Sequence, residues 1–145
     1  MGARRDGREL AVQALYQEDM TPEGPAAPGV FSGHFEEGGP EAVAFARELV
    51  AGVTEHRERI DALIAQAAEH WRLPRLSRVD LAVLRLATYE LLARPEIPPS
   101  VTINEAIEIA RRFGSEDSGG FVNGVVDAIA ATLGVKAREK RDPGA

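Results

Sequence analysis

Apolar residues recur at helical spacing through most of the chain, and no stretch alternates with the two-residue period of a strand. Leu10, Ala11, Ala14 and Leu15 form the stripe of a first helix predicted over Asp6 to Asp19. Met20 to Pro40 then interrupts the pattern. Pro22, Pro25, Pro28 and Pro40, interleaved with Gly24, Gly29, Gly33, Gly38 and Gly39, exclude regular helix or strand there. Phe31 and Phe35 give this loop two points of attachment, so it is predicted to be partly ordered. From Glu41 to Trp71 the helical period returns in two stripes, Phe45/Leu49/Val53 and Ile60/Leu63/Ile64/Ala67. The stripes are out of step, which predicts a break between Thr54 and Glu58.

Pro74 closes that region, and Ser77 with Asp80 has the spacing of a helix-opening capping box. The helix it opens, to Ala93, carries Ala82, Leu84, Ala87, Leu91 and Leu92 and is predicted to be the central, most buried element. Pro95, Pro98 and Pro99 form the next connection. Thr102 and Glu105 repeat the capping spacing and predict a helix ending at Gly114, with Gly114 as a left-handed cap. After a turn over Ser115 to Gly120, Val122, Val125, Val126, Ile129 and Leu133 form the last stripe, and Gly134 stops it. Gly124 within that helix costs about 1 kcal/mol relative to alanine, which predicts close packing against a neighbour. The fold class is all-α, with six or seven helices in bundles. Residues 1–135 read as a single helical domain with an acidic Gly/Pro-rich loop at 20–40. Residues 136–145 read as a flexible basic tail containing Lys136, Arg138, Lys140 and Arg141, either a weak phosphate contact or a solvated end.

Charge changes this picture in one respect. The net charge is −6, but Gln17 to Ala46 holds no Lys or Arg and six acids: Glu18, Asp19, Glu23, Glu36, Glu37 and Glu41. Everything outside that segment is neutral overall, so the global acidity does not exclude a local nucleic-acid face. The chain has no cysteine, which removes disulfides, thiolate metal sites and a cysteine nucleophile. No run approaches the roughly 20 apolar residues of a membrane span. The first residues lack the apolar stretch of a signal peptide, so a cytoplasmic location without a membrane partner is expected.

Candidate chemistry is sparse. His34, His56 and His70 share no ligand spacing, and there is no phosphate loop between a strand and a helix. Neither a metal, a cofactor nor a catalytic group is expected. The N-terminal basic group says more. On a helical wheel Arg5, Arg8, Val12 and Tyr16 fall within an arc of about 80°, beside the apolar stripe. Guanidinium groups fork onto phosphate and a tyrosine ring stacks on an unpaired base. A solvated helix start with a half-buried tyrosine accounts for the same residues. Phe113-Gly114 to Phe121-Val122-Asn123-Gly124 is a second candidate, a polar turn flanked by aromatics, equally readable as an ordinary helix–helix turn with a phenylalanine at the core edge.

These residues resemble the NusB antitermination-factor family. Arg4-Arg5-x-x-Arg8-Glu9-x-Ala11-Val12-Gln13-Ala14-Leu15-Tyr16 is similar to the family's opening signature, and Val79 to Leu91 to its central helix. Ile103 to Ala110 and Phe113 to Asp127 are similar to its last two helices, so four blocks in the right order span nearly the whole chain. The resemblance implies two packed three-helix bundles. It also implies binding of the boxA segment of nascent ribosomal-RNA leaders, jointly with the ribosomal protein NusE, within an RNA-polymerase antitermination complex. By position it places Arg4, Arg5, Arg8, Gln13, Tyr16, Phe121 and Asn123 on the RNA, and Asp80, Arg85, Phe113 and Asp117 at or beside the NusE side.

Three features depart from the family pattern: Gly7, expected to weaken the first helical turn and leave the arginines ordered only on RNA; the long acidic loop; and the basic tail. Two other functions compete. One is an accessory NusB-like domain of the kind fused to RNA cytosine methyltransferases, which would need a strand-rich domain and a catalytic cysteine that this chain lacks. The other is a helical adaptor that binds proteins, or a homodimer that covers its RNA face, without RNA specificity of its own.

Overall fold

A computed structural model describes residues 2–20, 39–69 and 72–135. The expectations for the 20–40 loop, for Trp71 and for the 136–145 tail lie mostly or wholly outside these residues. Among the described residues there are six α-helices, a 3-10 turn at Leu73–Arg75 and no strand. The helices are α1 (Ala3–Met20), α2 (Pro40–Glu55), α3 (Arg57–Ala67), α4 (Arg78–Ala93), α5 (Pro99–Phe113) and α6 (Ser118–Leu133).

The central element is the predicted one. Every residue of α4 from Val79 to Leu91 is buried, because α4 packs against all five other helices. Helices α1 and α2 pack on each other and on α4; α5 and α6 pack on each other and on α4. The two three-helix groups thus share α4, and α3 bridges α4 and α6. Ser77 opens α4 as expected, its Oγ accepting the Asp80 backbone N–H at 3.0 Å. The break expected between Thr54 and Glu58 falls at His56, which separates α2 from α3.

Four local expectations need correction. Helix α1 starts three residues earlier than predicted, at Ala3, so Gly7 does not fray it. A Cβ at Gly7 would lie 2.8 Å from Phe45 Cδ2 and 2.9 Å from the Ala42 carbonyl oxygen, so this glycine permits close approach of α1 and α2. Thr102 and Glu105 do not cap α5. Pro98 and Pro99 start the helix, where a missing N–H costs nothing, and both residues sit within it facing α4 and α1. Gly114 is extended (φ −95°, ψ −160°), not left-handed; a Cβ there would meet Ser118 Oγ at 2.4 Å. Gly124 has open space where its Cβ would be, so close packing does not account for it.

Gly134 stops the last helix as expected, and it does so as a left-handed cap, with φ 68°. Its N–H donates to Ala131 and that of Val135 to Ala130, at 3.1 and 3.2 Å, closing the paired Schellman arrangement. A further glycine contact escaped the sequence: a Cβ at Gly52 would fall 2.1 Å from Tyr89 Cζ, so α2 seats on α4 through a residue without a side chain.

These glycines give opposite expectations. Gly52→Ala gains helix propensity but forces Tyr89 aside, and is expected to destabilise by about 1–3 kcal/mol net. Gly124→Ala meets nothing and is expected to stabilise by up to about 1 kcal/mol. Urea denaturation of both variants checks the pair; equal effects would contradict the packing described.

Candidate nucleic-acid interface

The three N-terminal arginines leave α1 for three different environments. Arg4 is exposed, with its guanidinium 4.3 Å from the centre of the Phe45 ring on α2, a cation–π distance. Arg5 reaches α5, where its Nε donates to both carboxylate oxygens of Glu105 at 3.1 Å and its Nη2 to Oε2 at 2.5 Å. That carboxylate holds the Arg5 guanidinium above its ordinary pKa range, against the opposing effect of burial.

Arg8 turns inward and is only 4% exposed. Its Nε and Nη2 fork onto Glu90 of α4 at 2.7 and 3.1 Å, and Nη1 lies 3.6 Å from Glu105. Thr102 Oγ1 donates to the same Glu90 at 2.8 Å. The helical wheel placed Arg8 beside the apolar stripe; α4 and α5 close over that side. Arg8 is therefore committed to the interior in this structure, not presented to solvent. Gln13 is buried as well, and Tyr16 is half-buried against the core. Of the residues expected to face RNA, Arg4 and Asn123 are exposed and Arg5 and Phe121 are partly so.

The residues expected at the protein partner do not form one patch. Arg85 is buried, donating to Asp61 of α3 at 2.9 and 3.0 Å and lying 3.7 Å from Asp19 at the end of α1. Asp80 and Asp117 line an open groove of about 240 Å³ together with Arg75, Leu76, Ser115 and Phe121. Phe121, assigned with the RNA group, thus shares one surface with two acids assigned to the partner group. Asp80 Oδ1 is buried there without a hydrogen-bond partner.

A second groove, of about 340 Å³, runs between α1 and the end of α5 and is lined by Arg5, Glu9, Glu108, Ile109, Arg111 and Arg112. Arg112 donates to both oxygens of Glu9, at 2.6 and 3.0 Å, and its guanidinium lies 5.1 Å from the Phe113 ring centre. Arg111 lies 3.5 Å from Glu108 and also packs beside Gly119 at the start of α6. Arg111 and Arg112 at the end of α5 thus lie between Glu9 of α1 and Gly119 of α6, in a strip of guanidinium groups that runs from Arg5 to the Phe113 turn.

Sequence reasoning missed Glu9, Glu90, Glu105, Arg111 and Arg112. A signal existed for three of them. Glu90 is an acid set among apolar residues near the end of a buried helix, where a charge demands a partner, and Arg111-Arg112 is an adjacent basic pair at a helix end.

The fold has known counterparts. The family model described as the NusB family matches residues 5–131. The chain belongs to the NusB family. A transcription antitermination protein NusB of Geobacter sulfurreducens is 54% identical over 136 residues, covering 92% of this chain and 97% of that protein. The structure of Thermotoga maritima NusB superposes with a TM-score of 0.78 at 42% identity, covering 97% of this chain and 99% of that one. A crystal structure of antitermination factors NusB and NusE in complex with dsRNA superposes with a TM-score of 0.74 at 29% identity, covering 90% and 97% of the two chains. The NusB proteins are antitermination factors, not enzymes. Among the described residues no helix is long and apolar enough to cross a membrane.

The burial of Arg8 separates it from its neighbour in a measurable way. Arg8→Ala leaves Glu90 charged and unpaired in the core and is expected to cost about 3–5 kcal/mol of stability. Arg5→Ala, at a partly exposed pair, is expected to cost under about 1 kcal/mol. Chemical denaturation of the two variants at neutral pH checks this, and equal midpoints would contradict it.

Proposed function

We propose that this NusB-family chain binds the boxA segment of nascent ribosomal-RNA leader transcripts together with NusE, and so modifies RNA polymerase for processive transcription. The observation that carries the reading is family membership along nearly the whole chain, joined to a related NusB seen with NusE and RNA.

The strip supplies suitable chemistry. Arg5 offers a guanidinium to phosphate from within the strip and Arg4 another from the α2 side, Phe121 offers a ring face to an unpaired base, and Asn123 offers both a donor and an acceptor to a base edge. Arg8 acts from beneath, by fixing α1 on Glu90, and Gln13 of the same helix is buried. Tyr16 contributes only as much of its ring as the core leaves accessible. The acidic groove suits a basic ribosomal protein approaching over Asp117, with Asp80 deeper in the same groove and Phe113 at the neighbouring turn. Arg85 supports that surface from within, through Asp61 and Asp19.

Two measurements test the reading. Removing a phosphate contact flattens the log–log salt dependence of binding by about 0.7 per contact for a single strand. Arg4→Ala and Arg5→Ala are therefore expected to weaken RNA binding with a flatter slope. Phe121→Ala is expected to lose roughly 1–3 kcal/mol of stacking with the slope unchanged. Affinity is read over a salt series with NusE present, for a boxA single strand and for a duplex of the same sequence, since the related complex contains double-stranded RNA. Identical behaviour of the wild type and all three variants would remove the strip from RNA recognition.

The partner surface is tested apart from RNA. Asp117→Lys, at an exposed position, is expected to weaken NusE binding several-fold, chiefly by slowing association. Unchanged association kinetics would place NusE elsewhere.

A further inference from the structure

We infer that Glu105 is a specificity-determining residue: its carboxylate occupies the phosphate-binding fork of Arg5 and sets how weakly this protein holds a bare RNA backbone. The inference rests on the RNA reading above and adds a residue that works against binding.

Three observations carry it. First, the geometry is that of an anion already bound. Both Glu105 oxygens accept from Arg5 Nε at 3.1 Å, with a further contact to Nη2, in the planar forked arrangement that a phosphate would otherwise make. Second, the carboxylate is held in place. Its side chain is 14% exposed and is also approached by the buried Arg8 at 3.6 Å, while the Arg5 side chain is 33% exposed. An incoming phosphate can reach Arg5 from solvent, whereas Glu105 cannot swing freely away.

Third, the arrangement repeats along the groove. Arg112 is held by Glu9 and Arg111 by Glu108. Arg5, Arg111 and Arg112 thus face Glu105, Glu108 and Glu9, and the groove is neutral although it is lined with guanidinium groups. The sequence outside Gln17 to Ala46 has no net charge to create a compensating positive field.

The consequence concerns discrimination more than affinity. A phosphate entering this groove meets no net formal charge and must share or displace a carboxylate at each arginine, so backbone contact alone yields little. A strand that also places a base on Phe121, with the protein partner present, gains what a random strand does not. Specificity is a difference of affinities, and lowering the nonspecific one raises it.

The test removes the charge and keeps the shape. Binding of a fluorescent oligo-uridylate single strand is measured by anisotropy over a salt series, for the wild type, Glu105→Gln, Arg5→Gln and the double variant. Glu105→Gln is expected to bind about two- to five-fold more tightly, as the loss of one partly exposed charge pair implies. Its log–log salt slope is expected to steepen by about 0.7. In the Arg5→Gln background the same substitution is expected to gain nothing. The exposed Glu108→Gln is expected to give a smaller gain in the same direction, and decides the matter if Glu105→Gln fails to fold. Unchanged or weaker binding by the folded Glu105→Gln overturns the inference, as does a gain that persists without Arg5. A wild type that binds no RNA even at low salt defeats the RNA reading itself; a wild type that binds while Glu105→Gln gains nothing defeats only the role of Glu105.

Discussion

The pairing of Arg8 with Glu90 is the constraint from which the rest of this structure follows. Two charges so deep in an α-helical core are tolerable only if nearly every polar atom is matched, and here the fork of one side chain and the hydroxyl of Thr102 satisfy the carboxylate. The match fixes three helices at once, because Arg8 belongs to α1, Glu90 to α4 and Thr102 to α5. One position before Arg8, Gly7 lets α1 lie against the backbone of α2. The first turns of α1 are therefore set in rotation and depth before any ligand arrives, and Arg4 and Arg5 are presented by a rigid support.

The surface built on that support is unusual in its charge. Its arginines are numerous, yet each groove arginine faces an acid, and the adjoining groove around Phe121 contains Asp80 and Asp117. On the reading proposed above, such a surface would attract nucleic acid weakly in general and take its affinity from shape, stacking and a second protein. The overall charge of −6 points the same way, because it provides no long-range attraction for a polyanion.

The helices were legible because their signals are local. The two out-of-step stripes announced the break at His56, Ser77 announced α4, and Gly134 announced the final cap. The errors came where a local signal was overruled by position in the fold. Thr102-x-x-Glu105 has the spacing of a cap, but the prolines before it had already started the helix, leaving Thr102 for Glu90 and Glu105 for Arg5. Helical-wheel geometry set Arg5, Arg8 and Tyr16 on one arc yet could not say how far α4 and α5 would close over it, burying Arg8. Gly52 was invisible and Gly114 was misread for a related reason: what they avoid, Tyr89 and Ser118, becomes a neighbour only after folding. The grouping of Phe121 with Asp80 and Asp117 depends on α4 and α6 meeting, which no spacing along the chain encodes.

The sharing of α4 by both three-helix groups bears on how this molecule can come apart. In a protein of two separable bundles, one can melt while the other stays folded, and the seam between them is a natural site for division or exchange. Here, lifting α1 and α2 away, or α5 and α6, would uncover one side of a helix that is buried all round from Val79 to Leu91. Partial opening is thus nearly as costly as complete unfolding, and the low-energy excursions are left to the helix ends and turns. Among the described residues no hinge divides the middle of the fold. The guanidinium strip and the acidic groove, which adjoin at the start of α6, are kept in register by a core that cannot be divided between them.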